Sequence, residues 1–101
     1  MYMEHKVEKD VATIWPPAHF NISAHRSFRE SCKMLMEQVE VGVLIVDFRN
    51  VDYIDSSVLG SLIYIKELFE KKDGVIKIAN AQGTVKEIFK IAAFNEIFEM
   101  T

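Results

Sequence analysis

An α/β fold is predicted by three observations. Short apolar runs alternate with amphipathic segments along the 101-residue chain, with no low-complexity tract or internal repeat between them. Val43-Leu44-Ile45-Val46 is a continuous aliphatic run without polar alternation, the pattern of a strand buried on both faces of a sheet. Half of the residues are hydrophobic, enough for one core with a radius of gyration of roughly 13 Å, so residues 1–101 are read as a single domain.

Each element follows from local pattern. Val7 to Trp15 reads as a strand or a tight hairpin turning at Lys9-Asp10, and Pro16-Pro17 then interrupts regular structure. From Ser23 as the expected N-cap, Phe28, Cys32, Leu35 and Val39 recur at helical spacing, with Arg29, Lys33 and Glu37 on other faces. This predicts an amphipathic helix over 24–39, ended by Gly42. After the Val43 strand, a charged connection over 47–52 leads to Tyr53-Ile54, which re-enters the apolar layer. Asp55-Ser56-Ser57 then supplies N-cap chemistry for a helix over about 57–72. Lys71 and Lys72 suit the C-terminal dipole of that helix, and Gly74 is expected as its left-handed cap. Val75 to Ala79 is a further strand. Gln82 to Ala93 places Val85, Ile88, Phe89 and Ala92 on one helical face, and 94–100 forms a last short apolar segment.

Charge and composition exclude several functions. Twelve Lys and Arg stand against fifteen Asp and Glu, a formal charge of -3, so the basic field of a nucleic-acid binder is missing. No apolar run approaches the ~20 residues of a membrane span, and the first ten residues lack the apolar stretch of a signal peptide. A cytoplasmic location and no membrane partner are expected. One cysteine, Cys32, forms no internal disulfide and shares the apolar stripe of its helix, which reads as a small buried hydrophobe. His5, His19 and His25 have no metal-ligand spacing with Cys32, so no metal is expected. Gly42, Gly60, Gly74 and Gly83 follow no phosphate-loop or dinucleotide spacing, and no cofactor is expected. The Met34-Leu35-Met36 cluster offers a partner contact but more ordinarily reads as core, and Glu67, Glu70, Lys71 and Lys72 read as a solvated face.

The chemistry concentrates at Asp55-Ser56-Ser57. Serines opening a helix sit where free backbone N–H groups and the positive dipole end are expected to face solvent, a place that tolerates a phosphate. Capping alone is the ordinary role of an isolated Asp-Ser-Ser before a helix. With no base in view, a Ser56 nucleophile and hence an enzyme are disfavoured.

Tyr53-Ile54-Asp55-Ser56-Ser57-Val58-Leu59-Gly60 closely resembles the phosphorylation motif of STAS-domain anti-sigma factor antagonists. Upstream, Val43 to Val51 resembles the family's central strand and its connection, and 75–80 its following strand. Val85 with Ile88-Phe89, and 94–98, resemble its C-terminal helices. Phe20-Asn21 with His25, Phe28 and Arg29 is similar to a helix-entry segment of one subgroup. The likeness covers the chain from about residue 7.

The resemblance implies an α/β STAS domain: a small mixed sheet with helices packed mainly on one side. It further implies a non-enzymatic binding module that, when unphosphorylated, binds an anti-sigma factor that is also a serine kinase, and so releases a sigma factor. Ser56 corresponds to the phosphate acceptor, and a metal-dependent serine/threonine phosphatase would reverse the modification. Asn21, Asp55, Ser56, Ser57, Val58 and Gly60 correspond to the partner-binding surface. Two positions depart from the common pattern. Val58 stands where glycine is frequent, which implies a stiffer turn. Asn21 stands where many relatives carry Asp. A constitutive STAS scaffold in a transport or sensory assembly, with Ser56 only a cap, is the alternative.

Overall fold

A computed structural model of the chain describes residues 2–38 and 41–101. The hairpin at Lys9-Asp10 joins β1 (Glu4–Glu8) to β2 (Val11–Trp15) in antiparallel register, Val7 facing Ala12. After the two prolines comes the short β3 (His19–Phe20), then α1 (Ile22–Gln38), β4 (Val43–Asp47), β5 (Tyr53–Ile54), α2 (Ser56–Glu70), β6 (Val75–Ala79) and α3 (Gly83–Ile91). A 3-10 turn over Phe94–Glu96 and β7 (Glu99–Met100) resolve the last apolar segment. Val39, expected as the final apolar position of α1, lies outside the described residues.

The sheet order β1-β2-β4-β6-β7 explains the layering. From β2 each parallel neighbour is one step further in the same direction, reached through α1, α2 and α3 in turn. Crossovers of one hand, all stepping one way, leave their helices on one face. Ala12, Leu44 and Ile76 align across that face, as do Ile14, Val46 and Ile78, and all are buried. The predicted mixed sheet with one-sided helices is therefore the observed fold.

The expectation that β4 is buried on both faces is corrected by the same layering. Leu44 and Val46 are buried, but Val43 and Ile45 on the open face are only half-buried. An all-aliphatic run satisfied by one covering layer looks in sequence like one satisfied by two.

An aromatic row stiffens the end of the molecule at the carboxyl ends of β4 and β6. Phe20 meets Phe28 edge-on at 5.2 Å, Phe48 meets Phe89 at 5.1 Å, and Phe89 stacks on Phe94 at 5.4 Å. All of these rings are buried, and together they tie β3 and α1 to α3. At the other end, the left-handed residue after α2 is Asp73 (φ 59°), not Gly74 as expected. Gly74 has a different reason to be glycine: a Cβ there would stand 2.9 Å from Cδ2 of Phe69.

Candidate functional site

The Asp55-Ser56-Ser57 segment sits where the two-stranded parallel sheet β3–β5 hands the chain to α2. In β5 the two side chains part, Ile54 entering the core while Tyr53 stays 48% exposed beside His19. Period-2 alternation then turns Asp55 outward in extended conformation (φ -114°), the geometry of an N-cap. Its carboxylate serves two helices at once. Oδ1 accepts the Ser57 N–H at 3.0 Å and the Ser57 hydroxyl, and Oδ2 accepts the Ile22 N–H at 3.0 Å from the start of α1. The hydroxyl bond from Ser57 is the largest influence holding the Asp55 carboxyl below the usual carboxylate range, with the backbone donors adding to it, so it is an anion at neutral pH.

These bonds separate the two serines chemically. The Ser57 hydroxyl is committed to Asp55 and the residue is half-buried. Ser56 is exposed, and its hydroxyl has no hydrogen-bond partner among the described residues. The expectation of free helix N–H groups turned to solvent holds for Ser56 and is corrected for its neighbours. Ser57 N–H is taken by the Asp55 carboxylate and Val58 N–H by the Asp55 carbonyl at 3.1 Å. The Ser56 N–H alone has no partner among the described residues, so a charge added at Ser56 would meet a largely occupied cap rather than an open cradle of donors.

The remaining sequence-selected residues fall around this point. Asn21, not Ser23, caps α1: its Oδ1 accepts the Ser23 N–H at 3.1 Å and the Ser23 hydroxyl at 2.6 Å. Asn21 adjoins Ile22, whose N–H reaches Asp55, so the two helix starts are neighbours. Gly60 lies one turn beyond Ser56 on an exposed part of α2, and a Cβ there would meet nothing within 4 Å. Val58 is the exception. Its side chain is fully buried, so it offers the surface only backbone and instead anchors the first turn of α2 in the core.

Sequence reading missed a polar cluster further along the same helix pair. Ser61, fully buried in α2, receives the Arg29 Nε–H at 3.1 Å and lies 3.3 Å from His25 Nδ1. The Arg29 guanidinium lies over the Tyr64 ring, 4.6 Å from its centroid. The sequence signal was the spacing of His25, Arg29 and Lys33 along α1, but their partners come from α2.

The reading of Cys32 as a small buried hydrophobe is met. Cys32 is buried, and burial pushes its thiol far above the ordinary range, which removes it from thiolate chemistry. No group of three metal-ligating side chains occurs among the described residues, and no described helix is long and apolar enough to cross a membrane.

Comparison with known proteins places this geometry. The STAS domain family model matches residues 2–101. A STAS-domain containing protein of Pseudomonas aeruginosa (strain UCBPP-PA14) is 29% identical over 89 residues, 88% of this chain and 86% of the relative. Among solved structures, a putative anti-sigma factor antagonist of Thermotoga maritima superposes with a TM-score of 0.85 at 18% identity, covering 97% of this chain and 84% of that one. The Bacillus cell fate determinant SpoIIAA in its phosphorylated form gives 0.76 at 17% identity, with 97% and 89% covered. A sulfate transporter family protein of Wolinella succinogenes shares the fold at 0.72 and 18% identity, with 91% and 74% covered. This chain belongs to the STAS domain family.

Proposed function

We propose that this STAS-domain protein is an anti-sigma factor antagonist of the bacterial cytoplasm, a non-enzymatic binding module switched by phosphorylation of Ser56. Unphosphorylated, it binds an anti-sigma factor that is also its serine kinase and thereby frees a sigma factor; a serine/threonine phosphatase restores the binding form. The observation that carries this reading is the division of labour between the two serines. Ser57 spends its hydroxyl on Asp55, whereas Ser56 presents a free one on the exposed first turn of α2. The binding face comprises Asn21, Asp55, Ser56, Ser57 and Gly60 with the backbone of Val58. A phosphate there brings about two negative charges to a surface that already carries Asp52 and Asp55, and so alters what a partner meets.

The test is recovery of the protein from cells with its partners, peptide mapping of any phosphate by mass spectrometry, and capture of the anti-sigma partner by folded variants. Phosphate is expected on Ser56 and not on Ser57. Ser56→Ala should capture the partner constitutively and Ser56→Asp poorly, with folding checked by circular dichroism. Phosphate on Ser57, or equal capture by wild type and both variants, would refute the switch and leave constitutive scaffolding as the role.

A further inference from the structure

We propose that the groove along α1, whose Arg29 and Lys33 lie against Tyr64 of α2, is a docking site for an acidic segment of a protein partner, gripped by Arg29 and Lys33. The inference rests on the reading of the adjoining Ser56 face as a partner surface and adds a second contact to it. Along α1, Ile22, His25, Arg26, Arg29 and Lys33 recur three or four residues apart and form one stripe. A shallow groove of about 350 Å³ is lined by His25, Arg26, Arg29, Glu30 and Lys33. Its carboxylate, Glu30, is engaged by Arg26 at 3.5 Å. Arg29 and Lys33 have no carboxylate partner among the described residues, although acids outnumber bases in the chain.

Arg29 is held ready for an anion. Its Nε–H is fixed on buried Ser61 at 3.1 Å and its plane rests 4.6 Å from the Tyr64 centroid, with the Lys33 ammonium 5.4 Å from the same ring. Those contacts leave the terminal nitrogens of the guanidinium for a forked, charge-assisted pair of bonds. Because the side chain is already ordered, binding loses less rotamer entropy than it would at a free arginine.

The surroundings select the class of anion. A net charge of -3 repels a polyanion at long range, which disfavours nucleic acid, while a few carboxylates meet the local cations. Ile22 heads the stripe at 67% exposure, an apolar contact that a peptide side chain can use and inorganic phosphate cannot. The Ile22 N–H is also bonded to Asp55, next to Ser56, so a phosphate on Ser56 would stand at the head of the same stripe and repel the same acidic segment.

The experiment is an NMR titration of the whole protein with a short glutamate-rich helical peptide carrying one leucine, at low and physiological salt. Inorganic phosphate and a single-stranded oligonucleotide are titrated separately. Shifts are expected at residues 22–33 and 57–64, weakening with salt. Lys33→Glu should lower affinity about tenfold, the scale of one charge-assisted hydrogen bond, and Arg29→Lys by less, since it keeps charge but loses the fork. Lys33 is exposed and outside the core, so that variant folds. Absent shifts, shifts elsewhere, indifference to both variants, or tighter binding of phosphate or oligonucleotide would overturn the proposal. Ser56→Ala is titrated alongside: peptide binding without any phosphorylation of Ser56 in cells would leave the groove and sink the switch. Phosphorylation-dependent partner capture without peptide binding would do the reverse.

Discussion

Gly60→Ala separates the stability of α2 from the use of its surface. Gly60 lies inside the helix, one turn from Ser56, and a methyl added there meets no atom within 4 Å. Nothing opposes the ordinary preference of a helix interior for alanine over glycine, so the substitution should stabilise the fold by about 0.5–1 kcal/mol. For a domain of this size that is a rise of about 2–8 °C in the unfolding midpoint, read by circular dichroism. On the exposed face, however, the methyl occupies space four residues from the Ser56 hydroxyl, on the same side of the helix. If this is the docking surface, an extra methyl in a packed interface costs about 1–3 kcal/mol, or roughly 5- to 150-fold in affinity. The expected result is a more stable protein that binds its anti-sigma partner less well, measured by calorimetry. Full binding by the stabilised variant would remove Gly60 from the interface, and a lowered melting temperature would refute the reasoning about the helix.

Two further substitutions test the framework beneath the site. Val58→Ala deletes two fully buried methyl groups, about 0.8 kcal/mol each, and the residual cavity raises the loss to about 2–3 kcal/mol; urea unfolding should show a lower midpoint at unchanged slope. Asp47→Asn strikes a buried carboxylate that accepts Asn80 Nδ2–H and Arg49 N–H at 3.0 Å on one oxygen and Arg49 Nε–H at 2.9 Å on the other, so an amide loses about 2 kcal/mol of this arrangement. Burial alone would raise the Asp47 carboxyl, but the bonds from Arg49 and Asn80 outweigh it and hold the group below its usual range. A depressed folded-state value means the contribution is full above the unfolded value of about 3.9 and is lost as pH falls through the folded one. The stability gap between wild type and Asp47→Asn should therefore narrow below about pH 4, and a gap that widens on acidification would contradict the assignment.

The parts of the molecule legible in the sequence were those set by local chemistry. The turn at Lys9-Asp10, offered as one of two readings of Val7 to Trp15, and the Asp55-Ser56-Ser57 start of α2 follow from residue types a few positions apart, and the structure has the hairpin and an Asp55 cap. The cap of α1 misled because Asn21 and Ser23 are both good N-caps, and the choice fell to the hydrogen bond that Asn21 makes to Ser23 rather than to any difference in propensity. The β3–β5 pair is two residues long on each strand, too short to show a period. Register alone cannot say that helices cover one face of β4, since that follows from every crossover stepping the same way. The cluster of Arg29, Ser61 and Tyr64 was invisible for a related reason: Arg29 is more than thirty residues from the other two and meets them only because α1 and α2 lie side by side.

The same local chemistry constrains how a phosphate on Ser56 could act. A helix start with vacant N–H groups would fold back onto the new oxygens and spend the added charge within the domain. Here the N–H groups of Ser57 and Val58 and that of Ile22 already serve Asp55, and the Ser57 hydroxyl does as well. Releasing one of them to a phosphate would cost a bond to a carboxylate that is itself ionised. The added charge is therefore directed outward, beside Asp55 and away from the aromatic row that holds the end of the sheet. Modification at this position would then leave the fold in place and change the electrostatic surface. The consequence must then be read in a partner's affinity, through repulsion of whatever approaches the start of α2 and the cationic stripe of α1.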